Sequence, residues 1–228
     1  MTKLQWDQVG SRLYETGASQ AALFVKNEQG AMAPGVAWNG LVAVRQTPTG
    51  AEPNDIFADN TKYLSLTSME EFEGAIEAYT YPDEFNACDG ILEVVPGASF
   101  GQQRRSEFGL VYRTEIGNDT LETDYGYKLH LIWNAKVSPS ERAYETINDT
   151  PAAITFTWDF QTTPERVVVA DRKVRPTSYL CLDSTRLAPE VMSTIENMVY
   201  GSDATAATMP TPQEVVNILS TPTPPPAV

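Results

Sequence analysis

Apolar and polar residues alternate with a period of two along most of this chain. Ile154, Phe156, Trp158 and Phe160 fall on one side, and Thr155, Thr157 and Asp159 on the other. A helix would scatter these residues round its axis, whereas a half-buried strand sorts them onto two faces. Tyr125, Tyr127, Leu129, Leu131 and Trp133 form a second stripe, opposite Gly126, Lys128, His130 and Asn134, with Ile132 a misfit. Phe108, Leu110, Tyr112 and Ile116 oppose Glu107, Arg113 and Glu115, and Trp38, Val42 and Val44 make a shorter stripe. Phe72, Ile76 and Ala78 alternate with Glu71, Glu73, Glu77 and Tyr79. The Glu and Ala content there would suit a helix, but Gly74 interrupts it and the reading is a strand. Further strands are expected at about 20–26, 61–67, 166–174 and 178–183, and Ser140–Ile147 is open between strand and helix. The fold class is mainly β.

Two regions break the alternation. Gln46–Asn60 is rich in turn formers and reads as a loop too long for a tight hairpin; loops of that length are usually functional or mobile. Near the C-terminus, Val191, Ile195, Met198 and Val199 recur at helical spacing, with Pro189 and Glu190 in the first turn and Gly201 as a stop. The organisation expected is a β domain over 1–200, closing with a helix at about 187–200. A segment 201–228 follows, with a linker, a short helix at about 213–219 and a Pro-rich, extended tail.

The chain has 228 residues, enough for one sizeable domain with its own core, and 42% hydrophobic against 20% charged residues marks it as globular. No apolar run reaches the roughly 18 residues of a bilayer span, and the N-terminus lacks the apolar stretch of a secretory signal, which points to a cytoplasm as the place of synthesis. In that compartment Cys88 and Cys181 are expected as unpaired thiols. Neither has a Cys or His at ligand spacing, so no metal site is read. Sixteen Lys+Arg against thirty Asp+Glu give a formal −14. That sign opposes the phosphate attraction on which nucleic-acid binding depends.

Candidate chemistry is sparse. Glu71/Glu73 or Asp83/Glu84 are pairs from which a glycosidase acid and base could be drawn. Such pairs arise readily among thirty acids, and no apolar cradle to shift a carboxyl pKa accompanies them. His130 is placed on the polar face of its strand, without a nucleophile beside it. No phosphate-binding or dinucleotide glycine pattern occurs. The sequons at Asn118-Asp119-Thr120 and Asn148-Asp149-Thr150 read as turns between strands. No catalytic residue, cofactor or metal is assigned, and the chain reads as a non-enzyme.

An ordered series of short blocks carries a resemblance. Ala37–Gly40, Gly50–Pro53, Ala58–Asn60, Lys62–Leu64 and Glu77–Asp83 come first. Tyr112–Thr114, Gly117–Thr120, Tyr125–Lys128, Ser138–Glu141, Thr146–Asp149 and Ala153–Trp158 follow. In this order, over most of residues 10–200, they resemble the major tail tube proteins of bacteriophages with long, non-contractile tails. The resemblance implies a β-sandwich or barrel-like domain flanked by a helix, whose inner sheet joins its neighbours into a continuous barrel. It further implies hexameric rings stacked into a virion tail tube, assembled in the host cytoplasm with tape-measure, terminator and distal tail proteins. DNA would transit the lumen without specific binding.

On that reading Glu71, Glu73 and Glu77, opposite an apolar face, point either into the lumen or to outer solvent, and are assigned to the lumen. Ile56, Phe57 and Asp59 are assigned to contacts between rings, since an exposed apolar pair in a polar setting marks an interface. The alternatives are another all-β tail ring component, terminator or distal tail protein, and a carbohydrate- or host-binding module. Trp38, Trp133 and Trp158 lie on expected buried stripes, whereas a glycan module needs exposed aromatics.

Overall fold

The structure, a computed structural model, describes residues 3–220 apart from 145, 148, 150–152 and 171. The end of the Pro-rich tail, from 221, and part of the second sequon lie outside the described residues. Fourteen strands run in chain order among them. They are β1 (Tyr14–Val25), β2 (Val36–Trp38), β3 (Leu41–Gln46), β4 (Thr49–Gly50), β5 (Pro53–Ala58), β6 (Thr61–Thr67) and β7 (Glu70–Glu71). After β8 (Glu73–Ala78) comes a 3-10 turn, Asp83–Ala87, and then β9 (Leu92–Val95), β10 (Ala98–Phe100), β11 (Phe108–Asn118) and β12 (Glu122–Val137). The series closes with β13 (Phe156–Thr162), β14 (Tyr179–Asp183) and two helices, α1 (Pro189–Val199) and α2 (Pro212–Ser220).

Eight strands make one antiparallel sheet in the order β2-β1-β11-β12-β13-β8-β3, with β14 on a second partner edge of β12. Its first and last strands, β2 and β3, are separated in the chain only by Asn39 and Gly40. The sheet therefore curls round until its ends meet, in the form of a barrel. Trp38, Ile76, Phe85, Phe108, Leu110, Ile132, Trp158 and Phe160 fill the inside. A second apolar layer lies on the outside of β1, β11, β12 and β14. There Phe24, Val111, Leu129, Leu131 and Trp133 meet Met192, Ile195 and Val199 of α1 and Val215 of α2. The helices thus cover one flank of the barrel, while among the described residues no helix covers the outer face of β13, β8 and β3.

This two-sided burial explains the misfit in β12. Leu110 pairs with Ile132 but Phe108 with Ala135, so β12 carries an extra residue at Trp133-Asn134, where Asn134 takes φ +49°. The bulge returns Ala135 and Val137 to the interior beside Ile132, while Leu129, Leu131 and Trp133 face the helices. The expected polar face of this strand is corrected accordingly: His130 is 5% exposed. A register shift between Leu41 and Ala43 likewise turns Leu41 and Val44 inward and leaves Val42 40% exposed.

Other expectations divide. The strand reading of Phe72–Ala78 holds for β8, and Asn118 caps a turn by accepting from the N–H groups of Thr120 and Leu121. No strand forms at 166–174 among the described residues. Pro164 and Pro176 flank the segment, and the Gln213 side chain holds both the N–H and the carbonyl of Val168. Gln46–Asn60 is not a loop: it folds into β4 and β5, and β5 pairs with β6. In Ser140–Ile147 the described residues form neither helix nor strand; Arg142 reaches the buried carboxylate of Asp89 instead. Both cysteines are free, Cys88 buried and Cys181 exposed. Residues 201–220 pack back on the β domain, with Trp133 donating to the Pro210 carbonyl at 2.7 Å.

Gly74 has a packing reason of its own. A Cβ there would stand 2.1 Å from the Arg45 carbonyl oxygen and 2.8 Å from the Phe160 ring. Gly74→Ala is expected to force β3 and β8 apart and to cost about 1–3 kcal/mol, as overpacked cores do. Urea denaturation reads it, with Gly101→Ala, which meets nothing within 4 Å, as the neutral comparison.

Candidate functional surfaces

Four surfaces stand out. The first is the open mouth of the barrel, a groove of about 560 Å³ between β1 and β3 with Tyr112, His130 and Tyr179 on its floor. Thr114 donates its hydroxyl proton to Glu15 at 2.7 Å, so its oxygen accepts from His130 Nε2 at 2.9 Å. His130 Nδ1 then accepts from the Tyr179 hydroxyl at 2.8 Å, which assigns the neutral Nε2–H tautomer. Burial drives the His130 pKa down to about 4, against a smaller upward pull from Glu15. Tyr112 stacks on the ring at 4.5 Å, and Lys128 pairs with Glu15. The Cys181 thiol also lines the groove and, though it reaches the surface, partial desolvation there raises its pKa and keeps it protonated. An unprotonated, fully hydrogen-bonded histidine beside a protonated thiol gives this groove no activated nucleophile. The arrangement locks the mouth.

The second surface is the bare outer face of β13, β8 and β3. Ile76 and Ala78 point inward, so Glu73 and Glu77 point out, and Glu77 meets Arg45 at 2.8 Å. Asp159 faces the same way across from Ala75, and Lys136 lies opposite Gln161. Glu71 does not share this strand. It sits in β7, opposite Thr49, at the root of the hairpin above. The structure therefore brings together two of the three glutamates read as lumen-lining, among mixed charges.

The third surface is that hairpin, β5–β6. Asp59 and Asn60 form its turn, both at positive φ, as a tight two-residue hairpin requires. Ile56 pairs with Leu64 and Asn54 with Leu66, so Ile56, Leu64 and Leu66 share one face, 36–54% exposed. Asp55, Ser65 and Lys62 hold the other, with Asp55 accepting from Ser65 at 2.7 Å and pairing with Lys62 at 2.7 Å. Phe57 is 68% exposed beside the turn. Of the residues read as an inter-ring contact, Ile56 and Phe57 are thus presented and Asp59 shapes the tip. An amphipathic two-stranded hairpin with no core beneath it is marginal in water.

The fourth surface was not read from the sequence. Hairpin β9–β10 pairs Leu92 with Phe100 and Glu93 with Ser99, with a register shift at Val94, and leaves Leu92, Val94, Val95 and Phe100 exposed. Its signal was present: Pro96-Gly97 between alternating apolar residues is a turn dipeptide. The N-terminal segment adds Leu4, Trp6 and Val9, all more than 70% exposed. The chain presents 15483 Å² of accessible surface, where roughly 10,000 Å² suits a compact monomer of its mass. Among the described residues no three His, Cys, Asp or Glu side chains converge as a metal site, and no helix is long and apolar enough to cross a membrane.

No family model matches the chain, and no curated protein matches it. Among solved structures it is similar to a chain of the anti-feeding prophage (AFP) baseplate, determined by cryo-EM with 6-fold symmetrisation. The TM-score is 0.38 at 10% identity, over 81% of this chain and 100% of that one. A likeness so distant carries no argument about what this chain does.

Proposed function

We propose that this chain is a non-enzymatic virion protein, the major tail tube subunit of a long-tailed bacteriophage. It builds stacked hexameric rings through which DNA passes into the host. The observation that carries the reading is hairpin β5–β6, an apolar face standing clear of its own domain, which a second copy would cover. The ordered sequence blocks supply the family, and the barrel supplies a consistent orientation. With α1 and α2 on the outside of a ring, the bare face of β13, β8 and β3 turns toward the lumen. Tape-measure, terminator and distal tail proteins are its partners, and the tube is assembled in the host cytoplasm. Electron microscopy and sedimentation of the purified protein at rising concentration test this. Hollow tubes of stacked rings are expected, and a protein that stays monomeric throughout overturns it. A terminator or distal tail protein would present similar arms but would stop at rings.

The same orientation gives a prediction for Glu73 and Glu77. Replacing both by lysine turns three acids and two bases on the bare face into one acid and four bases. Within a screening length of about 8–10 Å such charges act together on a phosphate chain. Tubes should still form, while DNA release from the variant phage slows severalfold. Unchanged release kinetics would remove these residues from the lumen.

A further inference from the structure

The two amphipathic hairpins leave the barrel at opposite ends. Hairpin β5–β6 hangs between the C-terminal end of β3 and the N-terminal end of β8. Hairpin β9–β10 follows the C-terminal end of β8 through the 3-10 turn. Phe85 of that turn is buried against Trp38 and Phe108, at the end where β3 and β11 begin. The six residues of β8, about 20 Å of strand, lie between the two roots.

Each hairpin exposes at least three apolar side chains and holds its charges in local contacts. In the first, Asp55 is neutralised by Lys62; in the second, Glu93 accepts the Gly97 N–H at 2.8 Å. Two copies at a formal −14 each repel one another. The apolar faces of the hairpins are places where they can meet without bringing like charges together.

From this placement we infer that the β9–β10 hairpin of one copy docks, apolar face to apolar face, on the β5–β6 hairpin of the next. Leu92, Val94 and Phe100 cover Ile56, Leu64 and Leu66. The inference rests on the tube reading and adds to it the receiving surface of the axial contact. The contact is heterologous, so it leaves one free hairpin of each kind at the two ends and propagates. One hairpin pair is smaller than the roughly 800 Å² per partner of a stable interface. Repetition round a ring multiplies it, because the contacts form together.

Two triple variants test the pairing: Ile56→Ser with Leu64→Ser and Leu66→Ser, and Leu92→Ser with Val94→Ser and Phe100→Ser. Each should keep the parent's circular dichroism and cooperative melting, yet stop at single rings, with median stack length down at least tenfold. Mixed in equal amounts, the two should recover pairs of rings and nothing longer, since each supplies the face that the other lacks.

Should a triple variant not fold, single cysteines decide the matter. In a Cys181→Ser background, Leu66→Cys and Phe100→Cys should cross-link to each other under mild oxidation and neither to itself. Self-cross-linking of Phe100→Cys, or a β9–β10 triple variant that stacks to parental length, overturns the pairing. The tube reading survives either result as long as the parent forms tubes. A parent that never stacks overturns both.

Discussion

Truncating Trp158 to alanine leaves the protein barely folded at room temperature. The side chain is 1% exposed and stands at the centre of an aromatic cluster inside the barrel. Its rings lie 5.0 Å from Phe85, 5.3 Å from Tyr81, 5.7 Å from Phe156 and 5.9 Å from Trp38. These partners come from the 3-10 turn and its approach, β13 and β2, so no single element can collapse into the space. Removing a buried tryptophan costs about 3–5 kcal/mol, the upper end applying where collapse is blocked. The edge-to-face contacts with Phe85 and Tyr81, each worth about 0.5–1.5 kcal/mol beyond area, are part of that cost. Against a total of about 5–15 kcal/mol, that takes most of the stability. A urea titration should place the midpoint near zero denaturant for Trp158→Ala and well above it for Trp158→Phe. Phe57→Ala, on the exposed hairpin, should stay within about 0.5 kcal/mol of the parent as a monomer. A Trp158→Ala protein as stable as the parent would show that the cluster does not hold the barrel.

Acid should loosen the mouth of the barrel through His130. Its pKa is about 4 in the fold, against an ordinary value of 6.5, because burial among Tyr112, Thr114 and Tyr179 disfavours the charged ring. Above pH 6.5 the ring is neutral whether the chain is folded or not, and no pH dependence arises. Between pH 6.5 and about 4 the unfolded chain takes up a proton that the folded one refuses, so stability falls with falling pH. The loss approaches about 3 kcal/mol at the lower limit and then levels off. Glu15, held below the ordinary carboxylate range by Lys128 and Thr114 against the opposing effect of burial, adds a loss of the same sign at lower pH. Lys128 is raised by Glu15 and titrates only in alkali. His130→Gln keeps a donor and an acceptor for Thr114 and Tyr179 without a titrating ring. It should flatten the stability profile between pH 6.5 and 4. A profile with unchanged slope would place the acid sensitivity elsewhere.

The buried stripe of β13 was legible because Phe156, Trp158 and Phe160 see one apolar layer, and one layer imposes a plain period of two. β12 was only half legible. Its second apolar face exists because the strand crosses the middle of the barrel wall, and its phase is reset by Asn134; both are facts of tertiary packing. His130 was placed on the wrong side of that divide for the same reason. The segment around Val167–Val169 read as a strand on propensity, but its backbone found a glutamine side chain from α2 first. Hairpin β5–β6 was hidden in the opposite way. Pro53, Asn54 and Asp55 are poor strand formers, and the ladder is set by the Asp59-Asn60 turn and the Asp55–Lys62–Ser65 contacts across it. The exposed hairpin was legible only where an apolar pair stood in polar surroundings, at Ile56-Phe57. At β9–β10 an equally apolar run received no reading, since alternation alone does not say whether a core lies beneath.

If copies stack through the proposed contact, hairpins of different sequence at the two ends of β8 would give the growing filament a direction. Subunits added at one tip would then bury Leu92, Val94 and Phe100 and leave Ile56, Leu64 and Leu66 facing solution, and at the other tip the roles would reverse. Two tips of different chemistry would have different arrival and departure rates, so elongation would proceed mainly from one of them. A priming complex that occupies either kind of hairpin fixes which tip remains open. A short peptide copying the Leu92–Phe100 hairpin would poison one tip and leave the other growing.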